Sequence, residues 1–264
     1  MTRTRMFSLL LMGVAVAIGC SGGRPQDAQA NPEAKPADSA AASQAASTSN
    51  ATGGSKVQGS IKFEGTAPGA EKIKMNADPV CQQQHSEPVA SEDVVVNPNG
   101  TLKNVFVYVK EGASGDYPAP TTPVVLDQHG CWYTPHVFGL QVGQPLQILN
   151  SDSTLHNVNA KTKVNKPFNL AQPVKDMKTD KKFEKPEVMV AFKCNVHPWM
   201  HAYGGVLNHP FYAVSDENGN FEIKGLPAGT YTIEAWHEKY GTQTQSVTIA
   251  AGENKTADFT FKAQ

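Results

Sequence analysis

The segment Phe192-Lys193-Cys194-Asn195-Val196-His197-Pro198-Trp199-Met200 holds a thiol, an imidazole and a thioether within seven residues. A second imidazole lies upstream, in Ser153-Thr154-Leu155-His156-Asn157-Val158. Two His, one Cys and one Met make a donor set for a single copper ion that exchanges electrons: a trigonal His-His-Cys group with a long, weak thioether on the axis. The thiolate couples strongly to the metal. A rigid frame around the four ligands lets the ion change oxidation state with little rearrangement. The chain must therefore supply strands that hold a His on one side and a Cys-His-Met loop on the other.

The signals from Lys56 onward are of that kind. Val57 to Phe63 alternates and ends at Gly65, Val105 to Val109 alternates around Tyr108, and Pro123 to Asp127 is a short apolar run. Leu140 to Asn150 reads as strand, turn, strand, and Val188 to Phe192 is a strand leading straight into Cys194. Long helical periodicity is missing. Short strands between Gly, Pro, Asn and Asp turns predict an all-β chain of sandwich architecture.

After His209-Pro210 the pattern becomes very regular. Strands are expected at Phe211–Val214, Phe221–Ile223, Tyr231–Trp236, Thr244–Ile249 and Thr256–Phe261. Asp216, Gly219, Phe221, Gly225, Leu226, Pro227, Gly229, Tyr231 and Ile233 fit the pattern D-x-x-G-x-F…G-L-P-x-G-x-Y-x-I/L. This segment resembles the carboxypeptidase regulatory-like (transthyretin-like) β-sandwich, usually an accessory module and not known for catalysis. It is small for independent stability, so it is expected to pack against the preceding domain.

The upstream piece, Val142 to Asp152 followed by His156-Asn157-Val158, resembles the cupredoxins, as does the loop C-x2-H-x2-M. The short loop is most similar to that of amicyanin, with Pro198 after the His and Trp199 before the Met. The resemblance covers about residues 133–208 and implies a Greek-key β-sandwich. It makes His156, Cys194 and His197 equatorial copper ligands and Met200 the axial one. Asn157 would brace the Cys loop by hydrogen bonding. His201 directly follows Met200 and is a rival candidate for the axial or an adjacent position.

Other chemistries fit less well. The chain has no C-x-x-C-H for covalent haem. The loop has no second Cys for a binuclear copper centre, and structural zinc would favour more Cys or His and no Met. A sandwich that has lost its copper is the bland alternative.

The N-terminus sets the compartment. Arg3 and Arg5 precede an apolar run, Phe7 to Ile18, too short to span a bilayer comfortably. The run ends Ala17-Ile18-Gly19-Cys20, which resembles a bacterial lipobox. Residues 1–19 are read as a lipoprotein signal peptide and Cys20 as the lipidated residue, with an ordinary secretory signal as the alternative. Residues 20–55 are rich in Ala, Ser, Pro, Gln and Asn and are read as a disordered tether. Residues 56–208 are then the cupredoxin-like domain with an N-terminal β extension, and 209–264 the regulatory-like domain. The expected location is the cell envelope, lipid-anchored, facing the periplasm or cell exterior. A net charge of −1 over 264 residues gives no reason to expect nucleic acid as a partner.

Four cysteines are present. With Cys20 lipidated and Cys194 on copper, Cys81 and Cys131 remain for a disulfide, which an exported protein can keep. They could instead join His85, His129 and His136 in a second metal site. His209 and His237 are read as packing residues at the domain junction. Eight lysines between Lys161 and Lys185 face three acidic residues, a basic stretch that suits either an acidic redox partner or a solvated loop. Pro198, Trp199 and Tyr203 are the better candidates for the face through which electrons leave. The sequence thus points to a copper protein that carries single electrons between redox partner proteins and is not an enzyme. Copper storage or delivery, and a cell-envelope module that binds carbohydrate or protein, are the alternatives.

Overall fold

The structure is a computed structural model that describes residues 54–263. The signal segment, Cys20 and nearly all of the tether lie outside the described residues. In chain order the elements are β1 (Ser55–Glu64), the short helix α1 (Pro79–Gln83), β2 (Phe106–Glu111), β3 (Val124–Gln128), β4 (Tyr133–Thr134), β5 (Val137–Gln141), β6 (Leu146–Asn150), β7 (His156–Lys161) and β8 (Phe168–Gln172). There follow β9 (Met177–Lys181), β10 (Glu187–Lys193), β11 (His201–Leu207), β12 (Tyr212–Val214), β13 (Asn220–Leu226), β14 (Gly229–His237), β15 (Gly241–Ile249), β16 (Asn254–Thr256) and β17 (Phe259–Lys262). The expected all-β class is what the chain adopts.

Four sheets build two sandwiches. In the first, the order β5-β11-β10-β7-β8 faces β4-β3-β6-β9. Leu126, Tyr133, Leu140, Leu146, Ile148, Val158, Phe183, Val190 and Phe192 fill the space between them. Along β6, Leu146 and Ile148 alternate with less buried residues, as two packed sheets require. Cys194 and Met200 belong to the same buried cluster.

The second sandwich departs from the expected boundary at residue 209. Its sheets run β13-β1-β16, with β17 also on β1, and β12-β2-β14-β15. Strands β1 and β2, expected as an extension of the first domain, are central strands of the second. Without β1, β13 and β16 have no common neighbour; without β2, β12 and β14 have none. The C-terminal segment is too short to cover both faces of a core, so it recruits two strands from before the other sandwich. Val57, Ile61 and Phe63 of β1 pack with Phe221, Ile223, Tyr231, Ile233 and Phe259.

The sandwiches meet along a seam of Phe106, Tyr108, Val137, Leu207 and Tyr212, with Tyr203 and Trp236 against it. Glycines make the close approach possible. A Cβ on Gly139 would stand 2.3 Å from the Tyr212 ring, and one on Gly205 would stand 2.3 Å from the Phe106 ring.

Candidate metal centre

Strand pairing brings the sequence-predicted residues together. β10 lies between β7 and β11, with Phe192 opposite Ala160 and Lys193 opposite both Asn159 and His201. The loop from Cys194 to Met200 therefore closes over the start of β7, where His156 sits. Two backbone bonds hold the loop, Cys194 N–H to Met200 O at 3.1 Å and Met200 N–H to His197 O at 2.9 Å. The Asn157 side-chain oxygen accepts the Asn195 N–H.

The donor atoms of His156, Cys194 and His197 lie within 4.8 Å of one another, and all three residues are buried. The two Nδ1 atoms are 2.9 Å apart, and Cys194 Sγ is 3.9 Å from His197 Nδ1. The His197 N–H donates to the same sulfur at 3.3 Å. Burial disfavours the Cys194 thiolate, but hydrogen bonds from His156, His197 and backbone N–H groups outweigh it and lower the pKa to about 5. The sulfur is thus a thiolate at neutral pH, the form that binds metal.

Two carboxylates, to which the sequence reading gave no role, set the imidazoles. Asp152 Oδ2 lies 2.8 Å from His156 Nε2, and Asp78 Oδ2 lies 3.0 Å from His197 Nε2. A carboxylate on Nε2 keeps its hydrogen there, leaving Nδ1 as the lone-pair nitrogen. Asp152 is wholly buried and also accepts the N–H groups of Gly130 at 2.8 Å and Cys131 at 2.7 Å. Burial works against its charge, but His156 and those N–H groups prevail and its pKa is lowered. Gly130 and Cys131 both have positive φ, which turns the two N–H groups toward one acceptor. Asp78 is the N-cap of α1, accepting from Val80 N–H at 2.8 Å.

This donor set fits a metal ion. Two Nδ1 lone pairs at 2.9 Å repel unless a proton or a cation lies between them. Both Nε2 atoms are already committed to carboxylates, and a thiolate completes the group. A cation bound by both nitrogens and the sulfur removes that conflict.

Cys81 and Cys131 are joined in a disulfide, with an S–S distance of 2.00 Å. Cys81 Sγ lies 3.6 Å from His197 Nε2, so the bridge fastens α1 beside the site. His197 is only 2% exposed as a result. Trp199 lies against it, ring centroids 5.1 Å apart, and donates to Cys131 O at 3.0 Å. Tyr203, expected on an electron-exit face, packs instead in the seam, 5.0 Å from the Trp236 ring. The His201 ring faces Asp93 at 3.1 Å and Glu238 at 3.5 Å. Met200 is 1% exposed within the core cluster beside the loop.

Residues 205–262 match the family profile of the carboxypeptidase regulatory-like domain. The match begins in β11 and ends in β17, and the second sandwich extends beyond it by taking in β1 and β2. Among curated protein sequences none matches the chain significantly. Solved structures similar in part include a copper-containing nitrite reductase from Thermus scotoductus (22% identity, 38% of this chain and 25% of that one, TM-score 0.31). An amicyanin variant in the Cu(I) form matches at 18% identity over 38% of this chain and 97% of its own (TM-score 0.29). A purple cupredoxin from Nitrosopumilus maritimus matches at 20% identity over 32% of this chain and 97% of its own (TM-score 0.27). The chain spans a quarter of the nitrite reductase it matches.

Proposed function

We propose that the chain is a type 1 copper protein that carries single electrons between redox partner proteins, with no substrate turnover of its own. His156, Cys194 and His197 would hold the ion, with Met200 as the weak axial ligand. One observation carries the reading: two imidazoles with Nε2 fixed on carboxylates turn Nδ1 toward each other and toward a buried thiolate. Bound copper would supply a one-electron couple tuned by the thiolate and the axial ligand. The chain's own part is to hold the donors still and keep water out. The second-layer carboxylates keep both Nδ1 lone pairs available at every turn of the cycle.

A lipid on Cys20 would hold the protein at the cell envelope, facing the periplasm or cell exterior. A redox partner would approach beside the Cys loop, where Val196 is 44% exposed and Pro198 is exposed, and form a small, short-lived interface.

Loading the metal-free protein with Cu(II) tests this. The expected result is an intense visible thiolate-to-copper band and reversible one-electron cycling. Cys194→Ser should lose the band while keeping the far-ultraviolet β signature. A Cu(I)-only, colourless complex would favour copper delivery, and an unchanged band in the Cys194→Ser variant would overturn the ligand assignment.

A further inference from the structure

A second cluster lies at the seam between the sandwiches. His136 stands between β4 and β5, and His201 opens β11. Those strands are parallel neighbours, and Tyr203 N–H donates to His136 O at 2.8 Å. The two rings consequently meet edge to face, with centroids 5.0 Å apart. Glu238 reaches them from the other sandwich, in the turn after β14. Its Oε1 is 2.5 Å from His136 Nε2 and its Oε2 is 3.5 Å from His201 Nε2. Asp93 adds a second carboxylate, 3.1 Å from His201 Nε2, while Lys239 holds its other oxygen at 2.7 Å.

We propose that His136, His201 and Glu238 form a second metal site, for a divalent ion of the zinc or copper type, that ties the two sandwiches together.

The arrangement has the properties such a site needs. The three donor atoms lie within 4.8 Å of one another. The side chains of His136 and Glu238 are 1% and 6% exposed, whereas those of His201 and Asp93, at 19% and 26%, form an open rim by which an ion enters. His201 Nδ1 lies 3.1 Å from Trp199 O, so its hydrogen goes to that carbonyl and Nε2 is the nitrogen turned into the cluster. His136 has no hydrogen-bond partner at Nδ1, so its ring is committed through Nε2 alone. Two imidazoles and a carboxylate suit Zn(II), Ni(II) and Cu(II), and the usual order of stability places Cu(II) highest. Three protein ligands leave a position for water or Asp93. The site needs no thiolate, so it stands whether or not the first centre holds type 1 copper. Its closeness to that centre, one peptide bond from Met200, matters only if that reading holds.

Metal content of the full-length protein loaded with Cu(II), and separately with Zn(II), tests the proposal. Two equivalents per chain are expected for the unaltered protein, and one for Glu238→Gln and for His136→Ala. The Glu238→Gln variant should keep the thiolate band in full, while Cys194→Ser should keep the seam equivalent. X-ray absorption on zinc-loaded Cys194→Ser should show nitrogen and oxygen neighbours without sulfur, and the signal should vanish when Glu238→Gln is added. Equal metal content in the unaltered and Glu238→Gln proteins would overturn the site. So would a single equivalent in the unaltered protein accompanied by the full thiolate band. A missing thiolate band with the Glu238-dependent equivalent present would overturn only the type 1 reading.

Discussion

The two histidine clusters use the same parts in opposite order. At the first, the carboxylates of Asp78 and Asp152 stand outside and grip Nε2, and the inward Nδ1 atoms meet a thiolate. At the seam, the carboxylate of Glu238 stands between the rings and takes the Nε2 atoms itself. The position of one acid group therefore decides what a His pair offers. An outer carboxylate prepares a soft pocket of nitrogen and sulfur; an inner one makes a harder site of nitrogen and oxygen.

The largest test of this contrast removes the disulfide. Replacing Cys81 and Cys131 together by Ser frees a loop of about 50 residues, which should cost about 4 kcal/mol in denaturant unfolding under oxidising conditions. It should also loosen α1 and Asp78, weakening the first cluster while the seam equivalent of zinc stays. Equal weakening of both would show that the clusters are not independent.

Acid should act on the second sandwich in two stages, at the end of β14 and in the turn after it. His237 is buried and its Nδ1 accepts the Lys239 N–H at 3.1 Å; burial above all pushes its pKa down to about 4. The unfolded imidazole titrates near 6.5, so between 6.5 and 4 the unfolded chain holds a proton that the folded chain refuses. Stability should fall across that window by at most about 3 kcal/mol. For Glu238, burial opposes the charge, but His136 and His201 outweigh it and lower the pKa to about 2. Its contribution is full above the ordinary 4.5 and fades as pH falls toward 2. Denaturant unfolding measured against pH should flatten in the upper window for His237→Gln and in the lower one for Glu238→Gln.

The outer carboxylates should give smaller effects. Asp152→Asn should lower copper affinity by about 10- to 100-fold, read by competition with a chelator. Asp78→Asn should lose about tenfold or less, because the Asp78 side chain is 20% exposed and water can replace it on His197. If the two variants rank the other way, burial is not what separates them.

Much of the first cluster was legible because its ligands sit at short, fixed spacings beside strands. The alternation that predicts β10 also predicts where Cys194 emerges. The carboxylates were not legible. Asp78 is far from His197 in sequence and lies in a loop with no periodicity, so only the closed fold reveals that it caps α1 and the imidazole together. His201 looked like a rival of Met200 because sequence adjacency says nothing about direction: Met200 ends the loop, while His201 opens β11 and its ring reaches Asp93 and Glu238. Strand partners are equally nonlocal. The regular pattern after His209 revealed a sandwich, but its unfilled places for β1 and β2 could be seen only in the sheets. The basic stretch has a structural account too: β8 and β9 are edge strands, and Lys178 and Lys181 on β9 discourage pairing with another chain.

The recruitment of β1 and β2 fixes an order of events during synthesis. The first sandwich is inserted whole within the second, and its strands follow one another along the chain. It can close as soon as residues near 207 have emerged. By then β1 and β2 have long been made, yet their partners β12 to β17 are still to come. Emerging N-terminus first, the chain thus delivers the two middle strands of the second sandwich first and their neighbours last. Until the final strand arrives, β1 waits with open edges, the kind of surface that chaperones exist to shield. A chain stopped short of Phe259 is expected to carry a finished metal-binding half beside a permanently unpaired β1 edge.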